Sequence, residues 1–131
     1  MSTSVTAHMI VKNEDQWVWF AINSVLPFID TFLITDTGST DNTVGIINSI
    51  NSDKIIFNQT KVNSREDVTR VRQAQIDNTN TKWIWIVDGD EVYTEAGAKE
   101  IIEAITIPKY SAVVVRRYDL LGDLYHKQDE S

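Results

Sequence analysis

The chain has 131 residues, a hydrophobic fraction of 42% and a formal net charge of -7 at pH 7. This length predicts one domain with a single core. It is short for an enzyme that has separate donor and acceptor sites. The acidic balance argues against indiscriminate nucleic-acid binding, and no apolar run reaches the roughly 18 residues of a membrane span. Because the chain lacks cysteine and a secretory signal pattern, we expect a cytoplasmic protein without disulfides.

The first predicted unit is a strand over residues 6–11 followed by a helix. Asn13 and Gln16 have the spacing of a capping box, which predicts that the helix begins directly after Asn13. We expect this helix to be largely buried, with Trp17 and Phe20 on its apolar face, until Pro27 ends it. His8 on the strand is expected to be a hydrogen-bonded structural histidine, because no second histidine lies near it.

The second unit is a strand over residues 31–35, a loop of small residues and another helix. Asp36 follows the strand directly, at the edge where ligands bind in parallel α/β sheets, and could accept hydrogen bonds from a nucleobase or ribose. The alternative is an ordinary, well-capped turn between strand and helix, since residues of these types commonly cap helices. Three residues compete to supply that cap, namely Ser39, Thr40 and Asp41.

A third strand is predicted over residues 54–58, and Ser64 with Asp67 forms a capping box for the helix that follows. This helix is expected to bury Val68, Val71 and Ile76. It also concentrates arginines, namely Arg65, Arg70 and Arg72. Some of them are expected to form only surface ion pairs, and we select Arg72 as the guanidinium that could clamp a pyrophosphate through paired hydrogen bonds.

The fourth strand, beginning at Trp83, is apolar and β-branched, which predicts an interior strand buried on both faces. It ends in the acidic sequence Asp88-Gly89-Asp90-Glu91. Carboxylates held close together repel one another unless a cation lies between them, and oxygen ligands suit Mg²⁺ or Mn²⁺. The alternative is an Asp-Gly turn followed by a solvated helix start.

Thr94 is predicted to cap a fourth helix, and residues 111–115 to form a fifth strand. The alternation of strands and helices predicts an α/β fold with a mostly parallel sheet flanked by helices. We expect the ordered domain to span residues 1–118, with a poorly ordered polar tail at 119–131. An unfinished sheet edge would favour self-association into a homo-oligomer.

Four segments in register resemble the successive motifs of family 2 glycosyltransferases, which have the GT-A fold. They are Met9-Ile-Val-Lys-Asn-Glu14, Asp36-Thr-Gly-Ser-Thr-Asp41, Arg72-Gln-Ala, and Trp83-Ile-Trp-Ile-Val-Asp-Gly-Asp-Glu91. The resemblance covers roughly residues 5–118 and implies the nucleotide-sugar-binding half of such a domain, apparently truncated, with a UDP-sugar as the expected donor.

The resemblance also implies roles for individual residues. Asp36 would hold the uracil or its ribose, and Arg72 would lie near the nucleotide. Asp88 would contact ribose and metal, and Asp90 would coordinate Mn²⁺ or Mg²⁺ bridging the diphosphate. The base pocket would be lined, mainly through backbone groups, by Val11, Lys12 and Asn13.

The implied reaction is a metal-assisted displacement that inverts the anomeric centre, with a general base that deprotonates the acceptor hydroxyl. No residue matches the family's base motif. Asp119, Asp123 and Asp129 are acids without that context, and His126 is expected to be solvated. The catalytic base and the acceptor are therefore unassigned.

Three alternatives remain at this point. The chain could bind a nucleotide without turnover, or its acids could serve solubility alone. The segment Asp88-Gly-Asp90-Glu-Val92 also resembles the signature of haloacid dehalogenase-type phosphatases, which would make Asp88 a nucleophile and Asp90 an acid/base. That signature normally follows the first strand of its domain, whereas three predicted strands precede it here.

Overall fold

The computed structural model describes residues 3–113, which form a four-stranded parallel sheet with flanking helices. The strands are β1 (Val5–Val11), β2 (Thr31–Asp36), β3 (Ile55–Gln59) and β4 (Trp83–Ile86). The helices are α1 (Val18–Val25), α2 (Thr43–Ser49), α3 (Arg65–Asp77) and α4 (Glu95–Ile105), with a 3-10 turn at Leu26–Phe28. The strand and helix order confirms the predicted α/β fold.

The strand order is β3-β2-β1-β4, so that β1 is central and lies between strands that are distant in sequence. In the parallel register Val11 lies opposite Asp36, and Asp36 lies opposite Gln59. On the other side of β1, His8 lies opposite Ile86. The loops after β1, β2 and β4 therefore leave the sheet at the same edge, which positions the candidate site.

The core is built mainly from β1, β2 and α1. Strand alternation places Ala7, Met9, Phe32 and Ile34 on one face of the sheet, where they belong to the same buried cluster as the apolar side of α1. Burying a side chain of the size of Phe32 stabilises the fold by about 1.5–3 kcal/mol. The opposite face packs against α3, whose buried Gln75 donates to the carbonyl oxygen of Met9 at 3.0 Å.

The prediction that the acidic strand is interior and buried on both faces is wrong for the described residues. β4 forms one edge of the sheet over residues 3–113, and Ile84 and Ile86 are 40% and 57% exposed. Trp85 and Val87, on the other face, are buried. The physical reason is strand order, since β1 occupies the interior position and α3 does not cover the exposed face of β4.

The predicted start of α1 is also wrong. The helix begins at Val18, and Trp17 at its N-cap makes no side-chain capping bond. Asn13 instead adopts a left-handed conformation with φ 53°, and its side chain accepts a hydrogen bond from the backbone N–H of Thr40 at 2.8 Å. Trp17 and Phe20 are 40% and 52% exposed, so that only one side of the helix is buried.

The N-cap of α2 is Asn42, which makes no side-chain capping bond, so the prediction that Ser39, Thr40 or Asp41 caps this helix is wrong. Helices α3 and α4 begin at their predicted caps. Ser64 accepts a hydrogen bond from the N–H of Asp67 at 3.2 Å, and Thr94 accepts one from Gly97 at 3.0 Å, which confirms both caps. Within α3 the apolar pattern is wrong at Ile76, which is 48% exposed, because the neighbouring Gln75 takes the buried position.

The remaining predictions concern the C-terminal part of the chain. Residues 111–113 are described and are not in a strand, whereas the rest of the predicted fifth strand and the tail at 119–131 lie outside the described residues. The boundary at residue 118 therefore stays a prediction. Within residues 3–113 no helix has the length and apolar character that a membrane span requires.

Candidate functional site at the carboxyl edge of the sheet

The acidic segment after β4 folds into a tight turn. The N–H of Glu91 donates to the carbonyl oxygen of Asp88 at 3.0 Å, and the N–H of Asp88 donates to Oε1 of Glu91 at 2.8 Å. Asp88 and Asp90 are exposed, while Gly89 between them is buried. Burial is the main cause of the raised pKa of Glu91. The turn thus presents two carboxylates to solvent and uses the third carboxylate to hold itself together.

The side chain of Glu14 lies beside this acidic turn, although no role in the site was predicted for it. A Cβ atom added at Gly89 would lie 2.7 Å from Cγ2 of Val11 and 3.2 Å from Cγ of Glu14, so the turn packs directly against the loop after β1. Burial, followed by the charges of Asp90, Asp41 and Asp88, raises the pKa of Glu14. Its position three residues after a parallel strand is the signal that could have identified it.

The donor set at this edge fits a hard divalent cation. Asp88 and Asp90 supply exposed carboxylate oxygens, the ligand type that Mg²⁺ and Mn²⁺ prefer. Within residues 3–113 no group of three or more histidine, cysteine or acidic side chains is arranged to hold a metal ion. This agrees with the behaviour of Mg²⁺ in nucleotide sites, where one or two carboxylates bind it together with substrate phosphates and water.

Asp36 is fully buried and caps its own turn. Its Oδ1 accepts hydrogen bonds from the N–H groups of Gly38 and Ser39, both at 2.9 Å, and its Oδ2 accepts one from the hydroxyl of Ser39. Gly38 has a φ of 118°, a conformation that favours glycine. The carboxylate therefore organises the loop after β2, and its contact with a nucleotide stays a prediction.

The segment Val11 to Asn13 is held by the same loop. The carbonyl oxygen of Val11 accepts hydrogen bonds from the N–H of Thr37 at 3.0 Å and from its hydroxyl at 3.4 Å. The N–H of Asn13 donates to Oγ of Ser39 at 2.8 Å, and Lys12 is exposed. We call residues 12–17 and 37–42 the paired loops, because hydrogen bonds connect them along their length.

Arg72 lies on the exposed side of α3 and, among residues 3–113, makes no salt bridge. Burial, and then the charge of Arg72, lowers the pKa of His8. His8 is buried, and its Nε2 lies 2.6 Å from Oγ1 of Thr79, as expected for a structural histidine. Arg70 pairs with Asp67 at 2.6 Å, which confirms that an arginine of this helix forms a surface ion pair.

Two grooves lie along the sheet of the described fold. One, of about 580 Å³, lies between β3 and α3 and is lined by Asn58, Lys61 and Arg70, among others. The other, of about 590 Å³, follows β4 and is lined by Glu91 and Tyr93, among others. Neither groove is lined by Asp36, Asp88 or Asp90.

Comparisons with known proteins agree with this arrangement. A family model described as Glycosyl transferase family 2 matches residues 6–130. The SPbeta prophage-derived glycosyltransferase SunS of Bacillus subtilis (strain 168) is 27% identical over 127 residues, which cover 93% of this chain and 29% of that protein. Glycosyltransferase SunS of Bacillus phage SPbeta gives the same values.

Solved structures support the fold. S. aureus TarS 1-349 superposes with a TM-score of 0.61 at 15% identity, covering 79% of this chain and 32% of that one. A second TarS structure superposes with a TM-score of 0.59, and the present chain covers 20% of that chain. The present chain thus spans less than a third of the length of these proteins. Because the family model matches most of the chain, the protein belongs to glycosyl transferase family 2.

Proposed function

We propose that this chain carries the donor-binding part of an inverting, metal-assisted glycosyltransferase whose sugar comes from a nucleotide diphosphate, with a UDP-sugar as the expected donor. The observation that carries the proposal is the acidic turn, where Asp88 and Asp90 stand exposed beside Glu14 at the carboxyl edge of the sheet. Membership in glycosyl transferase family 2 supports the reaction class.

In this proposal Asp88 and Asp90 hold Mn²⁺ or Mg²⁺, and Asp88 also contacts the ribose. The bound cation would neutralise the charge that builds on the departing diphosphate. Arg72 lies on α3 without a salt bridge among the described residues, which leaves its guanidinium available to pair with phosphate oxygens.

The nucleoside would bind at the paired loops. Their backbone is already ordered by internal hydrogen bonds, so that little conformational entropy is lost when the nucleoside binds. Asp36 would read the uracil or ribose, and the base pocket would be lined by Val11, Lys12 and Asn13.

The acceptor and the catalytic base remain unassigned in this proposal. A chain that binds the nucleotide without turnover is the remaining form of the same function. The matched region covers 29% of SunS and 32% of TarS 1-349. Membership in glycosyl transferase family 2 leaves the phosphatase alternative without support. We also propose a cytoplasmic location, and self-association through β4, which is an edge strand of the sheet over residues 3–113.

The test is a calorimetric titration of the full chain with UDP, with and without Mn²⁺, and with GDP as a competitor. We expect metal-dependent UDP binding that Asp90→Ala abolishes. The matched control is Asp53→Ala, which removes an exposed acid at the opposite edge of the sheet, before β3, and should leave binding intact.

Thermal unfolding gives a second measurement for the same variants. Ligand at 100 times its Kd stabilises the native state by about 2.7 kcal/mol, which raises Tm by roughly 10 °C for a domain of this size. Asp90→Ala should lose this shift but keep the metal-free Tm, because it removes one of several repelling carboxylates. If Asp90→Ala bound UDP and Mn²⁺ as tightly as the unmodified chain, the assigned metal site would be wrong.

A further inference from the structure

Two hydroxyl groups connect the loop after β1 to the loop and helix after β2. Ser39 Oγ accepts the N–H of Asn13 at 2.8 Å and donates to the carboxylate of Asp36. Thr43 Oγ1 accepts the N–H of Glu14 at 2.9 Å and donates to Oδ1 of Asp41 at 2.5 Å. The same sequence of groups, from amide to hydroxyl to carboxylate, therefore occurs twice, at consecutive residues of the first loop.

These bridges are stronger than ordinary side-chain contacts. Each hydroxyl donates to the carboxyl group of an aspartate while it accepts from an amide, and hydrogen bonds in such a chain polarise one another. Thr43 is fully buried, which protects its bridge from competing water. Burial opposes the ionised form of Asp41, but hydrogen bonds from Thr43 and Asp15 outweigh that effect and lower its pKa.

The backbone of the first loop adopts an uncommon conformation to make this connection. Asn13 holds a left-handed φ of 53°, which asparagine adopts less readily than glycine. The conformation lets Oδ1 of Asn13 accept from the N–H groups of Thr40 at 2.8 Å and Asp41 at 3.3 Å. The bonds between the loops therefore help to hold the first loop in this shape.

We propose that Ser39 and Thr43 are positioning residues that lock the loop after β1 against the loop after β2, and so fix the acidic turn relative to Asp36. The connection runs through Glu14, whose N–H is held by Thr43 and whose side chain packs on Gly89 between the two exposed acids. The functional consequence rests on the proposed function. A nucleoside diphosphate must reach the paired loops and the acidic turn at once, so their separation determines its affinity.

The experiment compares Ser39→Ala and Thr43→Val with the unmodified full chain by NMR amide hydrogen exchange and by titration with UDP and Mn²⁺. Ser39→Ala should speed exchange of the Asn13 amide about tenfold, and Thr43→Val that of the Glu14 amide. Each variant should bind UDP and Mn²⁺ about tenfold more weakly. The conservative variants Ser39→Thr and Thr43→Ser, which retain the hydroxyl, should restore both measurements.

The matched control is Ser49→Ala at the end of α2, outside the paired loops, whose hydroxyl donates to the carbonyl oxygen of Ile46 at 2.6 Å. It should change neither measurement. Unchanged exchange at Asn13 and Glu14 in the test variants would refute the locking role, and so would an equal effect of Ser49→Ala. Faster exchange with unchanged UDP affinity would refute its consequence for binding. If the unmodified chain bound no UDP, the proposed function would fail, while the exchange data would still decide whether the hydroxyls lock the loops.

Discussion

Replacing Gly89 with alanine tests whether the acidic turn depends on close packing. The added Cβ would lie 2.7 Å from Cγ2 of Val11, a distance that requires one of the two groups to shift. Val11 is only 2% exposed and belongs to the central strand, so it has no room to move. The turn carrying Asp88 and Asp90 must therefore move away from the sheet.

The magnitude follows from two opposing effects. Overpacking a well-packed site costs about 1–3 kcal/mol. Gly89 lies outside the left-handed region, so alanine is conformationally acceptable there and restricts the unfolded chain, which returns about 0.4–1 kcal/mol. We expect a net destabilisation of about 1–2 kcal/mol. With an m-value of about 2 kcal/mol/M, the urea midpoint should fall by about 0.5–1 M.

The matched control is the same substitution at Gly45 in α2. There the added Cβ meets only Oδ1 of Asn42, the end of an exposed and flexible side chain, at 2.6 Å. Alanine is the better helix former by about 0.8–1 kcal/mol, so Gly45→Ala should be neutral or stabilising. Val11→Ala, which removes the contacting methyl group, should reduce the cost of Gly89→Ala. Equal urea midpoints for Gly89→Ala and the unmodified chain would refute this account of the turn.

Two further predictions concern the face that packs against α3. Burial, and then the charge of Arg72, lowers the pKa of His8 below its usual 6.5, so its stabilising contribution is complete above that pH and is lost as pH falls through the folded-state pKa. Urea unfolding should show a lower free energy of unfolding at about pH 5.5 than at about pH 7.5, and His8→Gln should reduce this difference. The same pH dependence in His8→Gln and the unmodified chain would contradict the prediction. Gln75→Leu should lower the unfolding free energy by about 1–3 kcal/mol, because the carbonyl oxygen of Met9 loses a buried donor. The exposed Gln73→Leu on the same helix is the control, and an equal effect of both would exclude this cause.

Local signals in the sequence were sufficient to predict the described elements. The alternation of apolar strands with amphipathic helices predicts the parallel sheet, and the caps at Ser64 and Thr94 form as predicted because each depends on residues within one turn. The same reasoning fails at Asn13. Its side chain bonds to Thr40, 27 positions away, so a tertiary contact overrides the local capping pattern.

The order of the strands and the pairing of the loops could not be predicted from the sequence, because both depend on contacts between residues that are far apart in the chain. An apolar run such as residues 83–87 is compatible with an edge or an interior strand, and only the placement of β1 decides between them. The role of Glu14 in the acidic site depends on Gly89 packing against it. The resemblance to glycosyltransferases identified the family correctly, because it uses the order of four motifs rather than any one contact.

The central position of β1 has a consequence for the order in which the protein folds. Its pairing with the start of β4 joins Val5 to Trp83 across 78 positions, whereas β2 and β3 follow it much sooner in the chain. At a synthesis rate of about 5–20 residues per second, roughly 4–16 s pass between the synthesis of the start of β1 and that of the start of β4. During that time the edge of the most buried strand is open, and parallel pairing over such a separation is intrinsically slow. We therefore expect β4 and the acidic turn to join the sheet after β1, β2 and β3 have paired.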